Sequence, residues 1–248
     1  LRMIADVPLG AFLSGGIDSS LVVALMQAQS SLPVKTFTIG FTEPAYDEAK
    51  SARAVARHLG TDHNELYLTP WETMEVIPEL AAIYDEPFAD SSQIPTLLVS
   101  RLAGSHVTVS LSGDGGDEVF GGYNRYLWAP RVWNRISWLP QSTRRAMASI
   151  LGTVPTKWWE SGLVRAHPFL PEGWRQRHAG DHFQKFLEVL PADSAEEVYR
   201  CLASRWQDPG RLVMTDLTLN PFAAESRLPS RMSGFVDRMM FLDTIRYL

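Results

Sequence analysis

A glycine-rich turn near the amino terminus constrains the fold of this sequence more than any other feature. The stretch AFLSGGIDSSLVVALM, residues 11–26, joins a short apolar run to a second apolar run without a spacer. The first run predicts a buried strand at 10–13, and the second predicts a helix at 19–29. A glycine turn from a strand into a helix lets backbone amides approach an anion at the helix amino terminus.

The polar residues of this turn indicate a phosphate site with a bound cation. The candidate donors are the backbone of Gly15 and Gly16 and the hydroxyls of Ser14, Ser19 and Ser20. Because a carboxylate repels phosphate unless a cation lies between them, we expect Mg²⁺ to be held by Asp18 and phosphate oxygens. The turn is neither a Walker A loop, which requires a lysine, nor a GxGxxG fingerprint. A tight turn with helix-capping serines is the alternative for this loop alone.

A second glycine-rich loop also carries acidic residues. The stretch LSGDGGDE, residues 111–118, follows a predicted strand at 107–111. Its acidic spacing does not match the calcium loop of an EF-hand. Since ligands bind at the carboxyl ends of parallel strands, we expect Asp18 and Asp117 to share magnesium there.

The pattern around these loops predicts an α/β fold with a parallel twisted sheet and flanking helices. The predicted strands are 10–13, 34–41, 65–68 and 107–111. The predicted helices are 19–29, 47–59, 94–102 and one that begins at a capping box, Thr69–Glu72, and kinks at Pro78. Such alternation is typical of parallel sheets.

The chain changes character beyond residue 126. Seven of the eight tryptophans follow it, with prolines between short apolar stretches. A second capping box, Ser194–Glu197, predicts a helix through Trp206. We therefore interpret 127–248 as mostly helical and 1–126 as an α/β core.

Composition narrows the functional classes. The chain has 248 residues, a net charge of −5 and one cysteine, Cys201. A single cysteine excludes an intrachain disulfide and a CxxC metal or redox pair. We expect a cytoplasmic protein with no nucleic-acid partner and no membrane association, because basic surplus, signal peptide and long apolar runs are all lacking.

Several separate motifs carry a resemblance to a known family. The loop SGGIDSS resembles the pyrophosphate loop of the N-type ATP pyrophosphatases. Within that superfamily the chain is similar to the synthetase domain of glutamine-dependent asparagine synthetases. The similar segments are ADVPLGAFLSGGIDSSLV, TFTIGF, YDEAKSARAVARHLGTDH, LSGDGGDEVFGGYNRY and RMMFLDTIRYL. The match is dense over residues 4–126 and loose from 127 onward, apart from the last segment.

This resemblance implies an adenine nucleotide alpha-hydrolase-like fold and a two-step reaction. ATP adenylates the side-chain carboxylate of aspartate and releases pyrophosphate, and ammonia then displaces AMP to give asparagine. The cofactors would be ATP and Mg²⁺, and the ammonia would come from glutamine through an amino-terminal glutaminase domain. The residues 1–126 would form the ATP-pyrophosphatase core, and 127–248 a helical extension of the same synthetase domain.

The resemblance also implies roles for individual residues. The ATP and pyrophosphate contacts would be Leu13, Ser14, Gly15, Gly16, Asp18, Ser19, Ser20, Ile39, Ser112 and Gly113. Asp18 and Asp117 would bind magnesium. Asp114 would take the catalytic position at which many family members have glutamate, so a carboxylate is kept with one methylene fewer. The related β-lactam synthetases have tyrosine there, which argues against that branch.

Other functions of the same fold remain open from the sequence. An amidotransferase acting on a sugar acid, or a peptide cyclase, would carry the same ATP loops. A tRNA-thiolating relative is disfavoured by the absence of paired cysteines. A non-catalytic nucleotide-binding module is disfavoured by the acidic residues at both loops.

We expect the chain to be a piece of a longer protein. In the family, a stretch like RMMFLDTIRYL precedes a segment whose lysine stabilises the charge on the α-phosphate, and here Leu248 is the last residue. The fragment alone should therefore bind ATP and magnesium weakly and form little aspartyl-adenylate. A homodimer is left open.

Overall fold

A parallel sheet organises the amino-terminal part of the protein. The computed structural model describes residues 3–43, 47–85, 90–154, 158, 179–204, 232 and 234–247. Its strands are β1 (Leu9–Phe12), β2 (Lys35–Phe41), β3 (Asp62–Leu68) and β4 (Val109–Leu111). They form a four-stranded sheet in the order β3-β2-β1-β4, and every neighbouring pair is parallel. The predicted parallel sheet is confirmed.

Helices connect these strands and make up most of the described remainder. Those that accompany the sheet are α1 (Ile17–Ala28), α2 (Ala49–Leu59), α3 (Pro70–Glu75), α4 (Ile77–Ile83) and α5 (Gln93–Gly104). Those that follow it are α6 (Gly116–Phe120), α7 (Asn124–Ile136), α8 (Gln141–Gly152), α9 (Ala179–Val189), α10 (Ala195–Ala203) and α11 (Phe235–Tyr247). Within the described residues, no helix has both the length and the apolar character needed to cross a bilayer.

The strand β2 lies inside the sheet and is covered on both faces. Its residues Thr36 to Gly40 are all buried, although their pattern alternates apolar and polar positions. Thr36 tolerates burial because its hydroxyl lies 3.0 Å from Thr61 Oγ1 and 2.9 Å from His63 Nδ1. Burial of a hydroxyl without such partners would cost free energy. Thr36 is thus buried in β2 with polar partners from β3 and from the residue that precedes β3.

Several boundaries differ from those predicted, for identifiable reasons. The helix predicted to kink at Pro78 is instead broken into α3 and α4 at Val76, since proline has no amide to continue the hydrogen-bond series. The capping box at Thr69 is present with both of its hydrogen bonds.

The second predicted capping box is formed only in part. Ser194 Oγ accepts a hydrogen bond from the Glu197 amide. The Glu197 carboxylate binds Arg200 instead of returning to Ser194. The helix ends at Ala203 and not at Trp206, which lies outside the described residues.

The helix α1 is less buried than its composition suggests. It turns Ser19, Val23 and Met26 inward. Leu21 and Leu25, on the other side, are about half exposed. A helix that is apolar nearly all round therefore covers the sheet with one face only.

The chain divides into two compact units, Leu1–Gly116 and Asp117–Leu248. The predicted boundary at residue 126 falls inside α7. In the second unit the helices α7 to α11 share one apolar core that includes Tyr126, Val198, Tyr199 and Met239. The described part of 127–248 is thus helical.

A buried aspartate joins three helices of this second unit. Asp243 of α11 has no exposed surface, and its carboxylate accepts hydrogen bonds from Tyr126 of α7 and Tyr199 of α10, each at 2.6 Å. Arg125 adds a charged partner, with Nε and Nη2 both 2.9 Å from Asp243 Oδ2. A buried carboxylate of this kind is stable only with such partners.

We predict that Asp243→Asn destabilises the second unit by about 3 kcal/mol, because Arg125 loses its counter-charge in a buried setting. Urea unfolding followed by tryptophan fluorescence measures the effect, since Trp128 and Trp133 pack against the same core. Asp193→Asn is the control, because Asp193 is exposed. Equal unfolding midpoints for the two variants would contradict the prediction.

Candidate ATP site

The turn after β1 is held by its own serines. Ser14 Oγ lies 2.9 Å from Ser19 Oγ, and the Ser14 amide donates to that same Ser19 oxygen at 3.3 Å. The Gly16 amide donates to Ser14 Oγ at 3.2 Å. Ser19 is buried, whereas Ser14 and Gly16 are exposed. Ser19 thus shapes the loop from inside, and Ser14 also offers a hydroxyl at the surface.

Gly15 has two reasons to be glycine. Its φ is +81°, in the left-handed region that residues with a side chain rarely adopt. A Cβ at this position would also lie 2.6 Å from the Ala52 amide nitrogen of α2. The turn therefore lies against the backbone of α2.

The first three backbone amides of α1 have no acceptor within the helix. The first amide bonded within the helix is that of Ser20, which donates to the Gly16 carbonyl at 3.0 Å. Gly16 occupies the N-cap and supplies no side chain to cap the helix. The amides of Ile17, Asp18 and Ser19 precede the first intrahelical bond, so this end of the helix favours an anion.

The second glycine loop packs directly on this turn. A Cβ on Gly113 would lie 2.7 Å from the Ser19 amide nitrogen, and one on Gly116 would lie 2.4 Å from Asp18 Cγ. Both positions therefore require glycine for the observed approach. The Asp18 carboxyl lies over the Gly116 backbone, and the two loops predicted from the sequence meet at the start of α1.

Asp114 lies at the exposed tip of the second loop. Its carboxylate accepts a hydrogen bond from Ser112 Oγ at 2.9 Å, and its amide donates back to that hydroxyl at 3.3 Å. The loop turns through Gly115, whose φ is +87°. Ser112 thus orients the Asp114 carboxylate and leaves it accessible to a ligand.

A cavity of about 430 Å³ opens beside the first loop. Leu13, Ser14 and Ile39, all predicted to contact ATP, line it. The other lining residues are Phe12, Phe37, Thr38, Phe41, Asp47, Glu48, Pro95, Thr96 and Val99. Its volume is in the range of small-ligand pockets.

The sequence interpretation missed most of this lining. From the sequence alone, Asp47 and Glu48 are expected to have a structural role, because acidic residues are favoured where a helix starts. Asp47 Oδ1 does accept from the Ala49 amide at 3.2 Å, and both residues also border the cavity. Pro95 and Thr96, in the first turn of α5, carry no motif, and only the packing of α5 on the sheet brings them here.

Ser20 and Asp117 are not among the residues that line this cavity. Ser20 faces a second groove, between α1 and α2, that Leu21 and Val55 help to line. Its hydroxyl has no hydrogen-bond partner among the described residues. Asp117 belongs to the second unit, in the first turn of α6.

The residues present fit a magnesium ion that is shared with phosphate. In the described part of the chain, no group of three or more histidine, cysteine, aspartate or glutamate side chains converges. A cation at Asp18 would take its other ligands from phosphate oxygens and water, as Mg²⁺ commonly does. The carboxyl of Asp18 beside the anion-favouring end of α1 is suited to that coordination.

The asparagine synthase family model matches residues 1–248. The chain belongs to the asparagine synthase family. The match extends over both units, including the carboxy-terminal part in which the sequence resemblance was loose. The resemblance read from the glycine loops is thereby confirmed.

Individual relatives agree with this assignment. A Methanocaldococcus jannaschii protein provisionally named asparagine synthetase 2 (glutamine-hydrolyzing) is 50% identical over 128 residues, 51% of this chain and 25% of its own. Asparagine synthetase 1 (glutamine-hydrolyzing) of Bacillus subtilis is 36% identical over 155 residues, 62% of this chain and 24% of its own. Asparagine synthetase B (glutamine-hydrolyzing) of Escherichia coli is 32% identical over 147 residues, 53% of this chain and 26% of its own. The chain thus aligns with about a quarter of each relative.

We predict that Gly113→Ala lowers the stability of the first unit by about 1–3 kcal/mol, because the added methyl must push the two loops apart. The Ser19 amide it would meet is backbone and cannot rotate away. Gly104→Ala is the matched control, since a Cβ at the end of α5 meets nothing within 4 Å. Urea unfolding should separate the two variants, and a Gly113→Ala protein as stable as Gly104→Ala would contradict the contact.

Proposed function

We propose that this chain is the synthetase part of an ATP-dependent amide ligase that converts aspartate and ammonia into asparagine. The observation that carries the proposal is the meeting of the two glycine loops. Gly113 packs on the Ser19 amide and Gly116 on the Asp18 carboxyl, at the anion-favouring end of α1. Membership of the asparagine synthase family supports the same reaction class.

The proposed reaction has two steps. An oxygen of the aspartate side-chain carboxylate attacks the α-phosphorus of ATP, and the bond from that phosphorus to the pyrophosphate oxygen breaks. The ammonia nitrogen then attacks the activated carbonyl carbon, and AMP leaves with its oxygen. Activation is necessary because a free carboxylate offers no leaving group that ammonia can displace at neutral pH.

The first loop is assigned the β- and γ-phosphates. The amides of Ile17, Asp18 and Ser19 offer donors that remain in place while negative charge develops on the departing pyrophosphate. Donors that are fixed in advance stabilise such charge without reorganisation. When bound, Mg²⁺ would neutralise phosphate charge, with Asp18 and Asp117 as its protein ligands.

The cavity beside Leu13 and Ile39 is assigned the adenosine. Its walls are mostly apolar and aromatic, and Ser14 at its edge belongs to the phosphate-binding turn. The nucleoside and the phosphates of one ATP molecule are thereby accommodated on adjoining surfaces of the first unit.

Asp114 is assigned to the acyl-adenylate and the incoming ammonia. Its carboxylate is exposed and oriented by Ser112, as a group that meets two successive substrates requires. A carboxylate accepts hydrogen bonds from ammonia and can take up the proton that the new amide releases.

Nitrogen is proposed to reach this chain as ammonia from a glutaminase. The only cysteine, Cys201, lies in α10, and burial, followed by the nearby Glu197, raises the pKa of its thiol. A nucleophilic cysteine needs the opposite shift. The relatives named glutamine-hydrolyzing support glutamine as the nitrogen source of the whole protein.

Asp18→Ala should weaken magnesium-dependent ATP binding by about tenfold or more, because the cation loses its ligand beside the phosphates. Stability should change little, since Asp18, in the first turn of α1, is only partly buried and is not part of the apolar core. Titration calorimetry with ATP, with and without MgCl₂, measures the effect. Asp62→Ala, at an exposed aspartate in the same unit, is the control. Unchanged ATP affinity in Asp18→Ala would remove Asp18 from the site.

Asp114→Asn should spare ATP binding and lower turnover by about a hundredfold, because the loss falls on the acyl-adenylate and its attack by ammonia. The assays are aspartate-dependent exchange of labelled pyrophosphate into ATP and formation of asparagine. Both use the full protein, including any sequence that flanks this chain.

The same exchange with a sugar acid in place of aspartate tests the other acceptor class. Exchange with the sugar acid alone would overturn aspartate as the substrate.

A further inference from the structure

The hydrogen-bonded residues around Asp243 continue towards the segment that carries Asp117. Arg125, held at Asp243 Oδ2, places its guanidinium carbon 4.0 Å from the ring centroid of Tyr123. Cations over aromatic faces attract the ring, so this contact restrains Tyr123. Tyr199 binds the opposite oxygen, Asp243 Oδ1. The Arg125 side of the network therefore faces Tyr123, and the Tyr199 side holds α10 to α11.

Tyr123 in turn reaches the helix that contains Asp117. Its hydroxyl donates to Glu118 Oε1 at 2.6 Å. Glu118 is only 4% exposed, so the hydrogen bond from Tyr123 is an important partner for its buried polar side chain. Burial, followed by the bond to Glu118, raises the pKa of the Tyr123 phenol, which therefore remains a donor at neutral pH.

The Asp117 side chain is restrained by Gly122, the residue that precedes Tyr123. The Gly122 amide donates to the Asp117 carbonyl at 2.9 Å. A Cβ on Gly122 would lie 1.9 Å from Asp117 Oδ1, so the carboxylate rests directly on the Gly122 backbone. Tyr123 follows Gly122 in the chain. Restraint of Tyr123 therefore restrains the surface on which the Asp117 carboxylate lies.

We propose that Tyr123 and Glu118 are positioning residues for the Asp117 carboxylate, with Asp243 anchoring them through Arg125. The inference rests on the proposed function, in which Asp117 binds magnesium. It adds that Asp243, in the segment RMMFLDTIRYL, influences the Asp117 carboxylate indirectly, through Arg125 of α7 and Tyr123. The turn at 121–123 is the part that transmits the restraint.

The test compares two phenol-to-phenyl substitutions. Tyr123→Phe and Tyr199→Phe each remove a hydroxyl that donates a 2.6 Å hydrogen bond to a carboxylate of the second unit. The Mg²⁺ concentration for half-maximal ATP binding should rise about fivefold in Tyr123→Phe, the effect of losing one hydrogen bond. The rise should be much smaller in Tyr199→Phe, because Arg125 and Tyr126 still hold Asp243 Oδ2 there, and the main effect should be a lower unfolding midpoint.

A second readout needs no ATP. The amide of Gly122, which donates to the Asp117 carbonyl, should exchange its hydrogen faster in Tyr123→Phe than in Tyr199→Phe. NMR on the 248-residue chain without nucleotide measures this. Equal exchange and equal magnesium requirement in the two variants would overturn the inference.

A glycine pair keeps the test decisive if Tyr123→Phe fails to fold. Gly122→Ala adds a methyl at the place of the Asp117 carboxylate, whereas Gly152→Ala at the end of α8 meets nothing within 4 Å. Gly122→Ala should raise the magnesium requirement about tenfold and Gly152→Ala should not. The same magnesium requirement in both would overturn the inference.

Asp117→Ala separates this inference from the proposed function. If magnesium-dependent ATP binding survives Asp117→Ala, the magnesium role of Asp117 fails and the inference fails with it. If binding is lost in Asp117→Ala but Tyr123→Phe and Gly122→Ala behave as wild type, the proposed function stands and the positioning role alone is wrong.

Discussion

The close contact between two stretches of backbone is the constraint on which the candidate site depends. Gly113 approaches the Ser19 amide and Gly116 approaches the Asp18 carboxyl at distances that no side chain at either glycine would allow. The contact joins a loop rich in amide donors to a loop rich in acidic residues. The first loop supplies the amide donors and the Asp18 carboxylate, and the second adds Asp114, so this contact fixes where the two carboxylates lie relative to the amides.

The strand order makes this contact possible. The central strand β1 pairs with β2 on one side and β4 on the other. Because all pairs are parallel, the loops that follow β1 and β4 leave the same edge of the sheet side by side. The cavity lies on the other side of β1, towards β2, where Ile39 and Phe41 help to line it. The strand β1 therefore places the first glycine loop between the second glycine loop and the cavity.

The parts of the fold that could be predicted are those set by local patterns. Apolar runs and glycine turns located the strands, the parallel class and both loops within a few residues. The cavity wall from Pro95 and Thr96 could not be predicted, because it depends on where α5 packs and not on residue type. The sequence predicts a kink at Pro78, but the helix is broken at Val76. The proline lacks an amide that would bond to the preceding turn, so its effect appears before the proline itself.

Long-range polar contacts are the features that the sequence predicts least well. Arg125 and Asp243 are 118 positions apart, and the sequence around neither residue indicates that the two are in contact. Both nevertheless occur in segments that resemble the family, GDEVFGGYNRY and RMMFLDTIRYL. Their pairing gives a physical reason for that joint resemblance, because a buried carboxylate without its cation would destabilise the unit. Residues far apart in the chain are thus constrained together, because the bonds from Arg125 and Tyr126 to Asp243 hold α11 against α7.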